Sequence, residues 1–547
     1  MSDIANLLQR LLRDPHNEEM LKEASSHLRA RPLEFAQAAQ TVLPSKPQPF
    51  AAAAQKSWSN CIGNQTCTPA SILHPSSCED LVNAVTQAAN AGQTVRAVGS
   101  GHSFSDVAVT TGVLLDPHGM NQVLTVDVSV LKDPSAASGL FSVQSGISIH
   151  NLNLALDKAG LALINMGAYD AQTLAGAMST STHGTGAELG PFPSAVASLV
   201  LVAQDGTLYQ LEPSNGITDP AKFAARYPNI VLKQDDAWFQ SNVVAMGCMG
   251  LIYSYTLRVM PAYYLLENRV ETTWEELKPQ LKAEPGQLPS CITAHRHYEI
   301  DVNPYAVNGK HSCIVTTRDI VPGPASGTRG VSNWVAGIMA SIPGVQDLLV
   351  DLLNAVPGLI PHALDMGLSS LKDSNYIDKS YKVLNLGAVN NASAYALELS
   401  FDAGSFVDSI DQLLELYANY AKAQHYYQTG PVGIRFVAPA QAYLSPQYGR
   451  TTCMAELDML THTKNGEALL DAIQKVMCAE PGVRVHWGLE LDVLQGAQLP
   501  QMYSQFPQWK SVYQQLNSKG LFDNSFTTRM NISMRPATAA ETAQKSA

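Results

Sequence analysis

One histidine sits inside a glycine-serine loop at Arg96-Ala-Val-Gly-Ser-Gly-His-Ser-Phe-Ser-Asp106. Gly99 and Gly101 carry no side chain, so their backbone N–H groups can approach a pyrophosphate closely, and the hydroxyls of Ser100, Ser103 and Ser105 add donors for the same anion. Such a loop reads as a flavin-holding turn. His102 then has a second use, because an imidazole beside a bound flavin can carry a covalent bond to the isoalloxazine methyl group. That bond would fix the cofactor and raise its oxidising power.

Downstream, Asn165-Met-Gly-Ala-Tyr-Asp-Ala-Gln-Thr-Leu-Ala-Gly-Ala-Met-Ser-Thr-Ser-Thr-His-Gly-Thr-Gly186 is a second run dense in Gly, Ser and Thr. The two runs together resemble the flavin-binding segments of the vanillyl-alcohol oxidase superfamily, whose FAD-binding domain is of the PCMH type. The resemblance is closest to its aldonolactone oxidase (L-gulono- and D-arabinono-1,4-lactone oxidase) and alditol oxidase branch. It implies FAD held covalently through His102. Cofactor contacts are expected from Gly99, Ser100, Gly101, Ser103 and Ser105 in the first run. In the second they are expected from Gly167, Asp170, Thr173, Gly176, Ala177, Ser179, Thr180, His183, Gly184 and Gly186.

The resemblance covers roughly residues 58 to 530. Trp58 to Asp116 looks like the first flavin subdomain, with Cys67-Thr-Pro-Ala70 before a strand and Ser77-Cys-Glu-Asp-Leu-Val-Asn-Ala-Val85 as the helix before the loop. Ser194 to Pro261 looks like the second. There Met246-Gly-Cys-Met-Gly-Leu-Ile252, followed by Thr256-Leu-Arg-Val259, is similar to the turn and strand that close over the cofactor, which adds Gly250 and Ile252 as contacts. Gly430-Pro-Val-Gly-Ile-Arg-Phe436, Tyr448-Gly-Arg450, His486-Trp-Gly488 and Gly520-Leu-Phe-Asp-Asn-Ser-Phe526 resemble substrate-domain signatures, in the family's order.

The chemistry so implied is hydride transfer from a carbinol C–H to the flavin, a protein base taking the hydroxyl proton and molecular oxygen reoxidising the cofactor to give H2O2. Arg435 matches an arginine near flavin and substrate, where a fixed cation stabilises anionic reduced flavin, and His486 joins it in the catalytic group. Other positions depart from the family. Alditol oxidases place a glutamate two residues before the arginine, where this chain has Gly433, and a lysine after His-Trp-Gly, where it has Leu489. A histidine and a threonine two apart are replaced by Glu456 and Asp458. Alternate strand positions share one face, so Glu456 can supply the missing base with Asp458 orienting it.

Those losses weaken recognition of a polyhydroxylated chain, because a hydroxyl buried without a partner costs about 1–3 kcal/mol. The reading adopted is a covalently flavinylated FAD-dependent oxidoreductase of CH–OH donors, an oxidase of sugar lactones or alditols; the alternatives are an oxidase of a lipophilic or sterol-like alcohol and a non-catalytic flavin-binding interaction protein. The sequence does not decide between oxidase and dehydrogenase.

Length and composition agree with a large enzyme. The 547 residues suffice for two or three domains. Against 47 acidic residues stand 35 scattered Lys and Arg, a net charge of −12 that argues against nucleic acid as a partner. The eight cysteines show neither metal-ligand spacing nor tight pairing; Cys61 and Cys67 can bridge, but small core residues are the favoured reading. No metal is expected. Met1-Ser-Asp-Ile-Ala lacks the basic start and apolar run of a secretory signal, so a cytoplasmic location is expected.

The elements that must position these residues form an α+β arrangement. A helical extension over 1–50 precedes a two-subdomain PCMH-type FAD-binding domain over 51–261 and an α+β substrate domain over 262–535 with a large antiparallel sheet. Residues 536–547 form a tail. Strands are predicted at Val95–Val98, Val113–Leu115, Leu140–Gln144, Ala197–Ala203, Leu208–Leu211 and Leu251–Val259, and helices at Cys78–Ala91, Ser148–Ala159 and Ala237–Val244. The substrate sheet should draw on Ser290–Ile300, Ser312–Thr317, Ala394–Phe401, Val432–Val437 and Cys453–Leu460. The first loop lacks a third glycine and no acidic residue follows a strand at the required distance, so this is not a Rossmann domain and a nicotinamide cofactor is not implied. An apolar insert over 331–371 is too interrupted by Asp347, Asp351 and prolines to span a membrane. It reads as helices covering the sheet or as a greasy lid for a lipophilic alcohol.

Overall fold

The computed structural model of the chain describes residues 3–43, 57–282, 288–327, 329, 345–387 and 392–536. They form two compact units, both discontinuous in sequence.

One unit comprises the described residues of Ala54–Tyr263, Val437–Thr452 and Pro481–Ala547. Its smaller sheet is parallel, in the order Ser71–Leu73, Val113–Leu115, Val95–Ala97. Helix Cys78–Asn90 starts at a capping box, the Ser77 hydroxyl accepting from the Asp80 N–H while the Asp80 carboxylate accepts from the Ser77 N–H. Leu81, Ala84, Val85 and Ala88 recur at helical spacing and bury against Val95, Val113 and Leu115. The larger sheet runs Ile230–Gln234, Leu208–Glu212, Val196–Val202, Leu251–Arg258, Leu140–Gln144, Val123–Leu124. Val196–Val202 lies at its centre, buried on both faces, and hence reads as a Val/Leu/Ala run with only the small Ser198 in it rather than an alternating one. All nine helices and strands predicted in this region form, within two residues of their expected ends.

The carboxyl-terminal part returns to this unit. Leu521 and Phe522 enter the core beneath helix Cys78–Asn90, and the Val95 N–H donates to the Leu521 carbonyl at 2.8 Å. Residues 437–452 and 481–536, assigned by linear reading to the substrate domain, thus fold with the flavin segments.

The other unit comprises the described residues of Met1–Ala53, Tyr264–Phe436 and Cys453–Glu480. Its sheet orders Asp373–Lys379, Tyr264–Thr273, Ser312–Val321, His297–Val302, Val432–Val437, Thr452–Leu460, Ala394–Asp402, and the pairs from the first of these through Val432–Val437 are antiparallel. The strand expected from Ser290 starts later. Ser290–Thr293 is a single helical turn behind Pro289, whose fixed φ suits a helix start, and the strand begins at His297.

The amino-terminal extension forms helices Asp3–Arg13, Glu18–Ala30 and Pro32–Val42. The first buries Ile4, Leu7, Leu8 and Leu11 on one stripe. The second and third pack on the described helices of the apolar insert, Val345–Ala355 and Ile360–Ser370. A Cβ at Gly358 between those two would lie 2.8 Å from Leu21, and Arg29 pairs with Asp365 at 3.1 Å. The insert's apolar faces are therefore covered by the chain's own first residues. Trp334, Val335, Ile338, Met339 and Ile342 lie outside the described residues. Among the described residues no single helix is long and apolar enough to cross a membrane, and all eight thiols are free, Cys61 and Cys67 included.

Candidate active site

The flavin-type unit contains a cavity of about 1150 Å³, its open mouth included. The strand Val95–Ala97 delivers the first glycine-serine loop to its wall, and the turn before helix Leu174–Ser179 delivers the second run. The two runs meet where a Cβ on Gly99 would fall 2.0 Å from the Thr173 hydroxyl oxygen. Only glycine allows that approach. Opposite, Gly250 holds φ +150° with a would-be Cβ 2.7 Å from the Val202 carbonyl, so the closing turn also requires glycine.

Gly99, Ser100, Gly101, His102, Ser103, Thr173, Gly176, Ala177, Ser179, Thr180, Gly250, Ile252 and His486 line this cavity. The His102 ring packs on Tyr169, centroids 4.3 Å apart, and its Nδ1 is buried with no hydrogen-bond partner. Burial lowers its pKa, against a backbone hydrogen bond that raises it, so the neutral, nucleophilic imidazole is favoured. Six expected contacts lie outside the lining. The Ser105 hydroxyl donates to the Trp487 carbonyl at 3.2 Å, and Asp170 pairs with His150 at 3.0 Å. Gly186 bridges Val437, Gly184 abuts the Met166 carbonyl, Gly167 lies against Thr182, and His183 packs edge-on to His486. These positions brace the wall. Even Ser100, which lines the cavity, spends its hydroxyl on the Ala171 carbonyl at 2.6 Å, tying one run to the other.

Sequence reading missed Arg96. The residue is 2% exposed and lines the cavity, and its guanidinium donates to the carbonyls of Val107, Met246, Gly247 and Phe522 while Nε has no partner. A fixed buried cation in a wall of backbone donors and glycine suits a dinucleotide diphosphate, and the unpartnered imidazole suits a flavin ring; the residues present fit FAD. The signal was available: a charged residue mid-strand between Val95 and the glycine loop.

Arg435, Glu456 and Asp458 belong to the other unit, on one face of its sheet. Antiparallel register sets Glu299 opposite Arg435 and Asp301 opposite Gly433. Arg435 donates through Nε to Glu299 at 2.8 Å and through Nη1 to Glu456. Glu299 also accepts from Arg318 at 2.9 Å, which reaches Glu267 at 2.7 Å, and Arg269 and Arg329 close on Glu267. The result is a ladder of alternating charge across the strands. Desolvation acts to raise Glu299, but Arg435 and Arg318 outweigh it and hold its carboxyl down to about 2. Desolvation and then the neighbouring Glu299 push Asp301 up to about 7. Asp458 shares the face with Glu456 as expected, and desolvation together with Glu456 raises it well above the usual carboxylate range.

The cavity and its two-sheet frame define an FAD-binding protein of the PCMH type. Residues 69–212 match the FAD binding domain family and residues 255–530 match the D-arabinono-1,4-lactone oxidase family, to which the chain belongs. It is 27% identical over 474 residues to L-gulono-1,4-lactone dehydrogenase of Mycobacterium tuberculosis, covering 86% of this chain and 98% of that one. It is 24% identical to L-gulonolactone oxidase of Bos taurus, covering 87% and 97%. Among solved structures, a solvent-stable cholesterol oxidase shares the fold at TM-score 0.65 and 15% identity, over 87% of this chain and 97% of that one. The chain is an FAD-dependent oxidoreductase of CH–OH donors.

Proposed function

We propose that the donor is a sugar lactone, that the flavin is covalently bound through His102, and that molecular oxygen is the acceptor. The observation that carries this reading is the buried, unpartnered Nδ1 of His102 in a glycine-walled cavity, in a chain whose family and relatives are lactone oxidases and dehydrogenases. Bound FAD supplies the two-electron acceptor that oxidation of a carbinol carbon requires.

The chain's own residues do the rest. The loop Gly99–Ser103 and the Arg96 cation hold the diphosphate, and His102, kept neutral by burial, tethers the ring. Arg435 donates to substrate oxygens from a side chain that Glu299 and Glu456 hold in place, so that little conformational entropy is lost on binding. The described insert helices cover the amino-terminal helices, which accounts for their apolar faces without a lipophilic substrate.

The test is an absorption spectrum before and after acid precipitation, followed by anaerobic addition of lactones, alditols and sterols. Yellow colour kept in the pellet and bleached by a lactone is expected, with recovery in air. Colour left in the supernatant removes the tether, bleaching only by a sterol removes the lactone, and recovery only with a dye makes the chain a dehydrogenase.

A further inference from the structure

The backbone holds His102 on both sides. The Gly101 carbonyl accepts from the Cys61 N–H at 2.9 Å, the Ser103 carbonyl accepts from the Asn60 side-chain amide at 3.0 Å, and Gly101 itself sits at φ +66°. What remains to be fixed is the rotation of the imidazole about its two side-chain bonds. No hydrogen bond fixes it at Nδ1, which has no partner among the described residues. Packing does so instead: the ring lies against Tyr169, centroids 4.3 Å apart and planes at 37°, with Phe104 at 5.5 Å.

Phe104 belongs to the same loop as His102, whereas Tyr169 comes from the second Gly/Ser/Thr run. The residues after Tyr169 are tied down separately. The Ala171 carbonyl accepts from the Ser100 hydroxyl at 2.6 Å, and Asp170 is bound to His150 through its carbonyl at 2.7 Å and its carboxylate at 3.0 Å. Tyr169 is not part of the cavity lining, although His102 is. It therefore touches the imidazole without reaching into the cavity.

We propose that Tyr169 is the positioning residue for flavin attachment: its ring holds the His102 imidazole in the orientation from which the covalent bond forms, and it takes no part in holding FAD itself. This rests on the covalent tether read above. In forming the tether, a C–H bond of the flavin methyl group breaks with its electron pair left on the ring system, an imidazole lone pair makes the new carbon–nitrogen bond, and the methyl proton and the imidazole proton leave. Molecular oxygen, the acceptor of the proposed reaction, takes the two electrons and two protons as H2O2. Bond formation needs the lone pair aimed at the methyl carbon, and an imidazole free to change rotamer is misaligned for most of the time. Fixing both torsions in advance removes that loss. Tyr169 also adds no charge beside an imidazole that must itself stay neutral, because burial, with Cys61 and Asp170 nearby, raises its pKa.

The test uses full-length protein purified from riboflavin-starved cells and mixed with saturating FAD. Acid-stable flavin is followed with time, and quenching of FAD fluorescence reports binding. Tyr169→Ala should bind FAD as the wild type does and attach it at least about tenfold more slowly. Tyr169→Phe keeps the ring, loses the hydroxyl and should attach FAD at the wild-type rate. Attachment by the alanine variant at the wild-type rate overturns the proposal. So does a phenylalanine variant as slow as alanine, which assigns the effect to the hydroxyl, and so does loss of FAD binding, which makes Tyr169 a cofactor contact. If alanine leaves the chain unfolded, Tyr169→Leu carries the test, with slower attachment expected and a wild-type rate overturning the proposal. If the wild type itself holds FAD only reversibly, the tether fails and the role of Tyr169 with it; if the wild type attaches FAD and the alanine variant matches it, only the role of Tyr169 fails.

Discussion

The two units recognise their ligands by opposite means. The flavin cavity is walled by backbone and glycine, its polar groups are largely spent on its own loops, and its one buried cation answers carbonyls rather than a carboxylate. The substrate-type sheet instead carries Glu267, Arg269, Glu299, Arg318, Arg435 and Glu456 on its strands, each charge answered by the next. A cofactor that never changes can be held by a shape that tolerates no side chain. A substrate whose hydroxyls must be told apart needs charges, and buried charges need one another.

That contrast is broken most severely by Arg435→Ala. Flavin content should stay intact, while kcat/KM falls about 10³-fold and stability by about 3–5 kcal/mol, because Glu299 and Glu456 lose their shared partner. Anaerobic stopped-flow reduction and urea unfolding read the two effects. The mirror experiment is Gly99→Val, whose side chain must displace Thr173: purification should yield colourless protein with the charged sheet unaltered by circular dichroism. His102→Ala should keep flavin in the cavity but release it to the supernatant in acid, with turnover reduced about tenfold, or about 1.4 kcal/mol of barrier. A pellet that remains yellow would refute the tether. The smallest expected effect is on acid stability. Glu299 has a lowered pKa, so its stabilisation is present above the unfolded value of 4.5 and is lost as pH falls through about 2; Glu299→Gln should remove that slope from the melting curve.

The same contrast explains what was legible in the sequence. Each flavin loop is contiguous, so each Gly/Ser/Thr run announces a ligand within its own few residues, and around them the helices carry a period-3.6 pattern and the strands read as short apolar runs. What local reading overstated were the hydroxyls: Ser100 and Ser105 bond their own scaffold rather than face the cavity as donors, a choice fixed by tertiary packing. The charged face was only half visible. Arg435, Glu456 and Asp458 lie on recognisable strands, but Arg435 and Glu299 are 136 residues apart in the chain and meet only through register. Gly433 looked like a missing partner because the residue opposite it, Asp301, cannot be known before the strands are aligned.

The discontinuity of the flavin unit bears on its biogenesis. Arg96 is pinned by the Phe522 carbonyl and Val95 by the Leu521 carbonyl, so the wall of the cavity waits for residues made much later in the chain. The glycine-serine loop therefore leaves the ribosome some four hundred residues before its clamp does, since Arg96 and Phe522 are 426 positions apart. Domains otherwise tend to fold amino terminus first as they emerge. Here most of the other unit is synthesised in between, and cofactor loading must wait for the returning segment, so that a nascent chain stalled before residue 520 should capture no FAD.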